Sequence, residues 1–285
     1  MKRSLKCRLL SMPWAATDRP SLGLGVLVSA ARSKGFDVRA VYPNFDLAQA
    51  MAFELYEAFA QTPAIFGVAE HIFAVSIFGA QALDSDAYVA MEYPKLEAAL
   101  SGSAQGNVLL ELRDRYIPMF LDTWTERLLA EQPDIVGFSC TFNQVLPSLA
   151  LAQRLKARKP ELCIIFGGAC VHGAMGEEYA RAFPQWIDHV FTGEADQVFV
   201  EFLERISSER TVSDLPGVTE RGALASPAVP FEQMNSLPTP TTLTISASGT
   251  VCWSSADPCL HATPSLMNLL AVAGGVQRTI ARSAD

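Results

Sequence analysis

Along this chain the spacing of apolar positions switches repeatedly between strand and helix character. Lys6 to Met12 (KCRLLSM) is a short apolar run halted by Pro13 and reads as a strand. From Ser21 the period changes: Leu24, Leu27, Val28 and Ala31 fall at i, i+3, i+4 and i+7, the stripe of an amphipathic helix, and Lys34–Gly35 closes it. Asp37 to Tyr42 (DVRAVY) returns to strand character, which completes a unit of the right length for a right-handed parallel crossover. The rhythm resumes at Ile135 to Ser139. A helix with Leu146, Leu149, Ala152 and Leu155 leads to a strand at Cys163 to Phe166, and a helix with Met175, Tyr179 and Phe183 leads to another at Asp188 to Thr192. A last helix shows Phe199, Phe202, Leu203 and Ile206 at helical spacing. The pattern predicts an α/β fold: a doubly wound, parallel, five-stranded sheet, with ligands expected at its carboxyl edge.

From about Asp46 to Ala130 the chain is rich in Ala, Leu, Phe and Glu, and Gly102 to Gly106 (GSAQG) is the clear loop within it. That length exceeds an ordinary crossover and predicts a helical insertion, 46–130, as a layer or cap over the sheet. Residues 1–210 therefore read as one domain with this insertion. Residues 211–240 carry Pro, Ser and Gly and read as a linker. Residues 241–285 are Ser/Thr/Ala-rich, lack sustained periodicity apart from Leu266 to Val272, and are not expected to pack as a domain.

With 285 residues, 49% of them hydrophobic, the chain can bury a full core. A net charge of -8 and the absence of a basic stripe argue against a nucleic-acid partner. Six scattered cysteines and a start, MKRSLKCRLL, without a signal-peptide core predict reduced thiols and a cytoplasmic location. The most membrane-like run, Ile65 to Leu83, is broken by Glu70 and His71, so it reads as a buried helix and no membrane partner is expected.

Candidate chemistry gathers in the loops that follow the strands. Gly23 and Gly25 open the first helix, but the dinucleotide fingerprint is not completed, so helix packing and ligand contact both remain open. The loop Ser139 to Gln144 (SCTFNQ) offers two hydroxyls and two amides around an aromatic ring, a set that suits an amide-rich uncharged ligand better than a phosphate. Its alternative is helix capping by Thr141 or Asn143. Gly167 and Gly168 end the next strand, where paired glycines favour close ligand approach over a packing turn. Glu194 and Asp196 suggest proton chemistry or ribose binding, or a helix-dipole role. His172 stands alone among the glycine loops and no cysteine has zinc or cluster spacing, so no metal site is expected.

The phrases MPWAATDRPSLGLGVL, VGFSCTFNQVLPSLALAQRLKARKP, IFGGA and FTGEAD, in this order around a helical insertion, resemble the amino-terminal half of cobalamin-dependent radical S-adenosylmethionine (radical SAM) proteins. The group is the one that matures ribosomally made peptides (RiPPs) of bacteriocin or proteusin type. The resemblance covers roughly Arg8 to Pro240 and implies a Rossmann-like cobalamin-binding domain. It implies cofactor contacts from Pro20, Ser21, Leu22 and Gly23; from Ser139, Cys140, Thr141, Phe142, Asn143 and Gln144; from Gly167, Gly168 and Ala169; and from Gly193 and Glu194. The DxHxxG signature of a cobalt-ligating histidine is absent, so a base-off cofactor without a protein histidine ligand is implied. Complete members are similar to methyltransferases that methylate unactivated carbons of a precursor peptide, the implied partner.

The CxxxCxxC motif that holds the family's iron-sulfur cluster is absent from this sequence, so neither the cluster nor S-adenosylmethionine is expected to bind and no catalytic residue is assigned. Where the family continues with PDYxDYF, this chain reads TPTTLTISASG. A frameshift near Pro240, giving a truncated member with an out-of-frame tail, is the expectation that follows. Two other readings stay open: a peptide- or partner-binding module working with a separate radical SAM subunit, and a nucleotide-binding small-molecule enzyme using Glu194 and Asp196.

Overall fold

Strands β1 (Lys6–Leu10), β2 (Asp37–Val41), β3 (Ile135–Ser139), β4 (Cys163–Gly167) and β5 (His189–Val190) pair in parallel, in the order β2-β1-β3-β4-β5. Alternate side chains of a strand face opposite sides, and a parallel sheet is covered on both, which is why these segments are apolar nearly throughout. Leu10, Val136, Phe138, Ile164, Phe166 and Val190 enter one core, while Cys7, Leu9, Ile135, Ile165 and Phe191 enter the other. The computed structural model describes residues 5–51, 53–99 and 108–221, and beyond them short stretches at 226–230, 232, 235, 237–240, 243–245 and 251–253.

Helices α1 (Leu22–Ser33) and α10 (Val198–Ser207) cover the second core. The first is covered by α8 (Val145–Arg158), α9 (Ala174–Ala182) and the insertion. The insertion runs from α2 (Pro43–Met51) and α3 (Phe53–Gln61) through α4 (Phe66–Phe78), α5 (Ser85–Ala99) and α6 (Val108–Glu111) to α7 (Ile117–Ala130). Its Tyr56, Phe59, Phe73 and Phe120 are fully buried in the same cluster as Phe138 and Phe166, so it is a layer continuous with the sheet's core, not a detached cap. The expected GSAQG loop lies outside the described residues. In α4, Val68, Ala69, Ile72 and Phe73 are buried against that core, and no single helix among the described residues is long and apolar enough to cross a membrane.

The stretch expected to begin a linker is packed at its start. Val212, Leu215 and Val218 are buried beside Phe199 and Phe202. Thr192 N–H donates to Gly217 O at 2.7 Å, Thr219 N–H to Val190 O at 2.9 Å and Arg221 N–H to Asp188 O at 3.0 Å. The cause is the edge position of β5, whose outward backbone groups need partners that no further strand of this sheet supplies. Residues 211–221 thus finish the sheet edge. Further on, β6 (Leu243–Ile245) pairs antiparallel with β7 (Val251–Trp253), and the rest of the tail lies outside the described residues.

Candidate functional site

The strand order reverses between β1 and β3: α1 leaves toward one face of the sheet and α8 toward the other. Such a switch point opens a crevice at the carboxyl edge, where ligands of doubly wound sheets bind. A cavity of about 180 Å³ lies there. Gly23, Leu24 and Leu27 of α1 form one wall, Phe191, Ala195, Asp196 and Phe199 the other, and Leu9, Gly137 to Ser139 and Ile165 to Gly168 the floor. Ser139 and Asp196 supply its polar side chains.

Two glycines shape this space differently. A Cβ on Gly23 would meet no heavy atom within 4 Å, so helix packing does not require glycine there and the wall stays open to a ligand. A Cβ on Gly137 would stand 2.6 Å from Leu9 Cδ2 and 3.0 Å from Ile165 Cγ1, so any side chain there collides with the cavity floor. Gly137 was not among the expected contacts. Its signal was present in the sequence, since a lone glycine inside a strand marks a close approach.

Five of the expected residues, Gly23, Ser139, Gly167, Gly168 and Gly193, line this one cavity. Leu22, Phe142, Ala169 and Glu194 stand exposed on the rim, with Phe142 75% accessible despite its aromatic ring. Pro20 and Ser21 lie at the head of α1, where Ser21 caps the helix by accepting from Leu24 N–H at 3.3 Å.

The SCTFNQ loop is built by internal bonds. Thr141 donates through its N–H and its Oγ1 to Gln144 Oε1, at 3.0 and 2.5 Å, while Gln144 Nε2 donates to Met12 O at 2.5 Å. Gln144, 2% exposed, is therefore a pin between two rim loops and not a ligand contact. Capping of α8 by Thr141 or Asn143 is not found: the N-cap is Gln144, without a side-chain cap bond. Asn143 adopts φ 61°, and its buried Nδ2 has no partner among the described residues. A buried donor without an acceptor carries a desolvation cost, and a ligand amide carbonyl on the rim would remove it.

Cys140 is fully buried and burial pushes its thiol up to about 12. Its N–H donates to Gly167 O at 2.7 Å and its carbonyl accepts from Cys170 N–H at 3.0 Å, which leaves it no group for a ligand. Gly168, at φ 105°, would place a Cβ 2.5 Å from Cys140 O. Its missing side chain thus admits the neighbouring loop, where the sequence favoured a ligand. At Gly193 a Cβ would meet that of Ala228 at 2.2 Å, so this turn is glycine because residue 228 crosses over it. His172 is exposed, and no cluster of three or more metal-ligating side chains exists among the described residues.

Trp14 was not singled out from sequence. It stacks on Phe59 at 5.0 Å, and its Nε1 donates to Ala69 O at 2.9 Å; Tyr56 OH donates to Ala15 O at 2.8 Å. These contacts bind the loop after β1 to the insertion.

No family model matches the chain. Over 121 residues it is 29% identical to the 2-(S-pantetheinyl)-carbapenam-3-carboxylate methyltransferase of Streptantibioticus cattleyicolor, a match covering 41% of this chain and 18% of that protein. The chain is thus weakly related to a methyltransferase and matches less than a fifth of its length. Among solved structures it is similar to TsrM of Kitasatospora setae, a radical S-adenosylmethionine methyltransferase, with tryptophan substrate and a SAM analogue bound: TM-score 0.43, 15% identity, covering 79% of this chain and 30% of that one. The same enzyme with cobalamin and a 4Fe-4S cluster bound gives TM-score 0.41 and 16% identity over 79% of this chain and 32% of that one. Likeness at that level speaks to neither family nor activity.

Proposed function

We propose that this chain is a cobalamin-binding domain acting in methyl transfer to a ribosomally made precursor peptide. The observation that carries the reading is the apolar cavity at the switch point, open beside Gly23 and floored at Gly137, beneath a rim of amides and exposed apolar side chains. A nucleotide's phosphates would favour cations, whereas the charged side chain that lines this space is the acid Asp196, among Ser139, glycines and apolar groups. A corrin macrocycle instead offers an apolar face, peripheral amides and an aromatic base on its nucleotide tail.

In this arrangement the cavity takes the planar, apolar base, and Leu24, Leu27 and Phe199 exclude water from it. Exposed Phe142 and Leu22 would hold the ring, and Asn143, once turned toward the rim, would offer Nδ2 to a peripheral amide carbonyl. When bound, the cobalamin would supply a methyl group for transfer. The sequence lacks CxxxCxxC, so cluster-dependent cleavage of S-adenosylmethionine is assigned to a polypeptide segment that bears that motif.

The test is an absorbance titration of the purified chain with hydroxocobalamin, run beside adenosine. Saturable corrinoid binding that Gly137→Val weakens is expected. Tight adenosine binding without corrinoid uptake would establish the nucleotide reading instead. A partner-binding role for the insertion is favoured by one observation, the exposure of Phe53, Phe78 and Met91, and co-purification with a cluster-bearing protein tests it.

A further inference from the structure

The acid at the crevice has no structural duty among the described residues. Asp196 stands just before α10, yet that helix opens on the carbonyl of Ala195, which accepts from Phe199 N–H at 2.8 Å, and its N-cap, Gln197, makes no side-chain cap bond. Asp196 does not cap the helix. Nor does any described residue donate to its carboxylate or pair with it, whereas Glu194, two positions earlier, has a partner.

Its surroundings suit it to a chemical duty. Asp196 is half-buried and shares its cavity wall with Ala195 and Phe199, across from Leu24 and Leu27 of α1. No other charged side chain lines the cavity among the described residues, and Ser139 adds only a neutral hydroxyl. A carboxylate accepts hydrogen bonds and donates none, and among apolar walls it favours a donor that carries positive charge. A planar base that fills this cavity must turn one of its edges to that carboxylate. A carbon edge would leave the acid without a hydrogen bond, and a bare ring nitrogen would set lone pair against lone pair. A protonated ring nitrogen satisfies both partners.

We propose that Asp196 is a specificity-determining residue for the base of the cofactor's nucleotide tail. It shares a proton with a ring nitrogen of an azole such as benzimidazole, so the cavity selects a protonatable nitrogen base and binds it together with a proton from solvent. This rests on the corrinoid reading and adds to it which base the cavity takes. Binding in this form opens the bond between cobalt and the base nitrogen of free methylcobalamin; the electron pair stays on nitrogen, where it takes up the proton, and nothing is oxidised or reduced. From α1, β1, β3 and β4 no titratable side chain reaches the cavity among the described residues, and Glu194 is exposed on the rim. Proton uptake is therefore assigned to Asp196 and the base as a pair.

Calorimetric titration of the purified chain with methylcobalamin at neutral pH, in two buffers of different ionisation enthalpy, counts the protons. A net uptake of up to about one proton per corrinoid is expected. Asp196→Asn, whose amide can donate to an unprotonated nitrogen, should bind without uptake, and Asp196→Ala should lower the affinity about ten-fold. A cobamide with a phenolic group in place of the azole has no ring nitrogen to protonate. It should bind without uptake, and no more weakly to Asp196→Ala than to the wild type, which separates lost recognition from a damaged cavity. Methylcobalamin binding without proton uptake, uptake that survives Asp196→Asn, or an equal loss for both corrinoids in Asp196→Ala overturns the role of Asp196 and leaves the corrinoid reading standing. If neither corrinoid binds, both fall.

Discussion

At the amino edge of the sheet charges are buried and matched; at the carboxyl edge polar groups are left waiting. Asp188, before β5, accepts from Ile164 N–H at 2.7 Å, pairs with Lys156 at 2.6 Å and with Arg221 at 2.8 Å, and both Lys156 and Asp188 are under 10% exposed. Arg8 is bound likewise, to Glu131 at 2.6 Å and Asp37 at 3.3 Å. The opposite edge has glycines, an unpartnered Asn143 donor and exposed Leu22 and Phe142. One edge spends its polar chemistry on holding strands together, and the other keeps it for a ligand. Substitutions should therefore separate stability from binding according to the edge they touch.

The largest effect is expected from Asp188→Ala, which leaves Lys156 buried without its partner and removes the acceptor of Arg221 and of Ile164 N–H; unfolding in urea should show a loss of about 3–5 kcal/mol. If the stability stays within error, the amino edge is not the clamp described. Next is a dependence on pH. The folded-state value of Glu70 lies above its ordinary 4.5, so the folded chain binds this proton more tightly than the unfolded chain does. The stability it contributes is present below about 4.5 and is lost as pH rises to about 7, roughly 2–3 kcal/mol in all, and Glu70→Gln should flatten that part of the curve. A wild-type curve that rises through this window would contradict the burial.

Gly137→Val should lower stability by about 1–3 kcal/mol through overpacking against Leu9 and Ile165. It should also weaken corrinoid binding by roughly ten-fold or more, by filling the cavity. The smallest effect sharpens the comparison most. Asn143→Gly keeps the φ of 61° and removes the unpartnered donor, so stability should stay within about 0.5 kcal/mol while corrinoid affinity falls about five-fold. Equal affinities in calorimetric titration would remove Asn143 from the site.

Strand and helix boundaries of the sheet were legible because two-residue and 3.6-residue periods are local. Ile135–Ser139 is the strand the pattern predicts, and Ser21 caps the helix predicted from that residue. The packing of 211–221 was not legible. Val212, Leu215 and Val218 sit three apart among Pro, Ser and Gly, and their burial depends on an open sheet edge elsewhere in the chain. The loops were legible as places but not as roles: Gln144 and Cys140 look like ligand contacts in the sequence, yet their groups are committed to Met12, Thr141, Gly167 and Cys170.

The sequence by itself determined the α/β order, the position of the insertion and which turns border the crevice, since each follows from residues close together in the chain. Only the tertiary structure decided that Gly23 faces open space while Gly168 faces Cys140, and that Gln144, 132 positions after Met12, ties the loop after β3 to the loop after β1. The physical reason is that hydrogen-bond satisfaction and free volume belong to contacts between distant segments, and no periodicity encodes them.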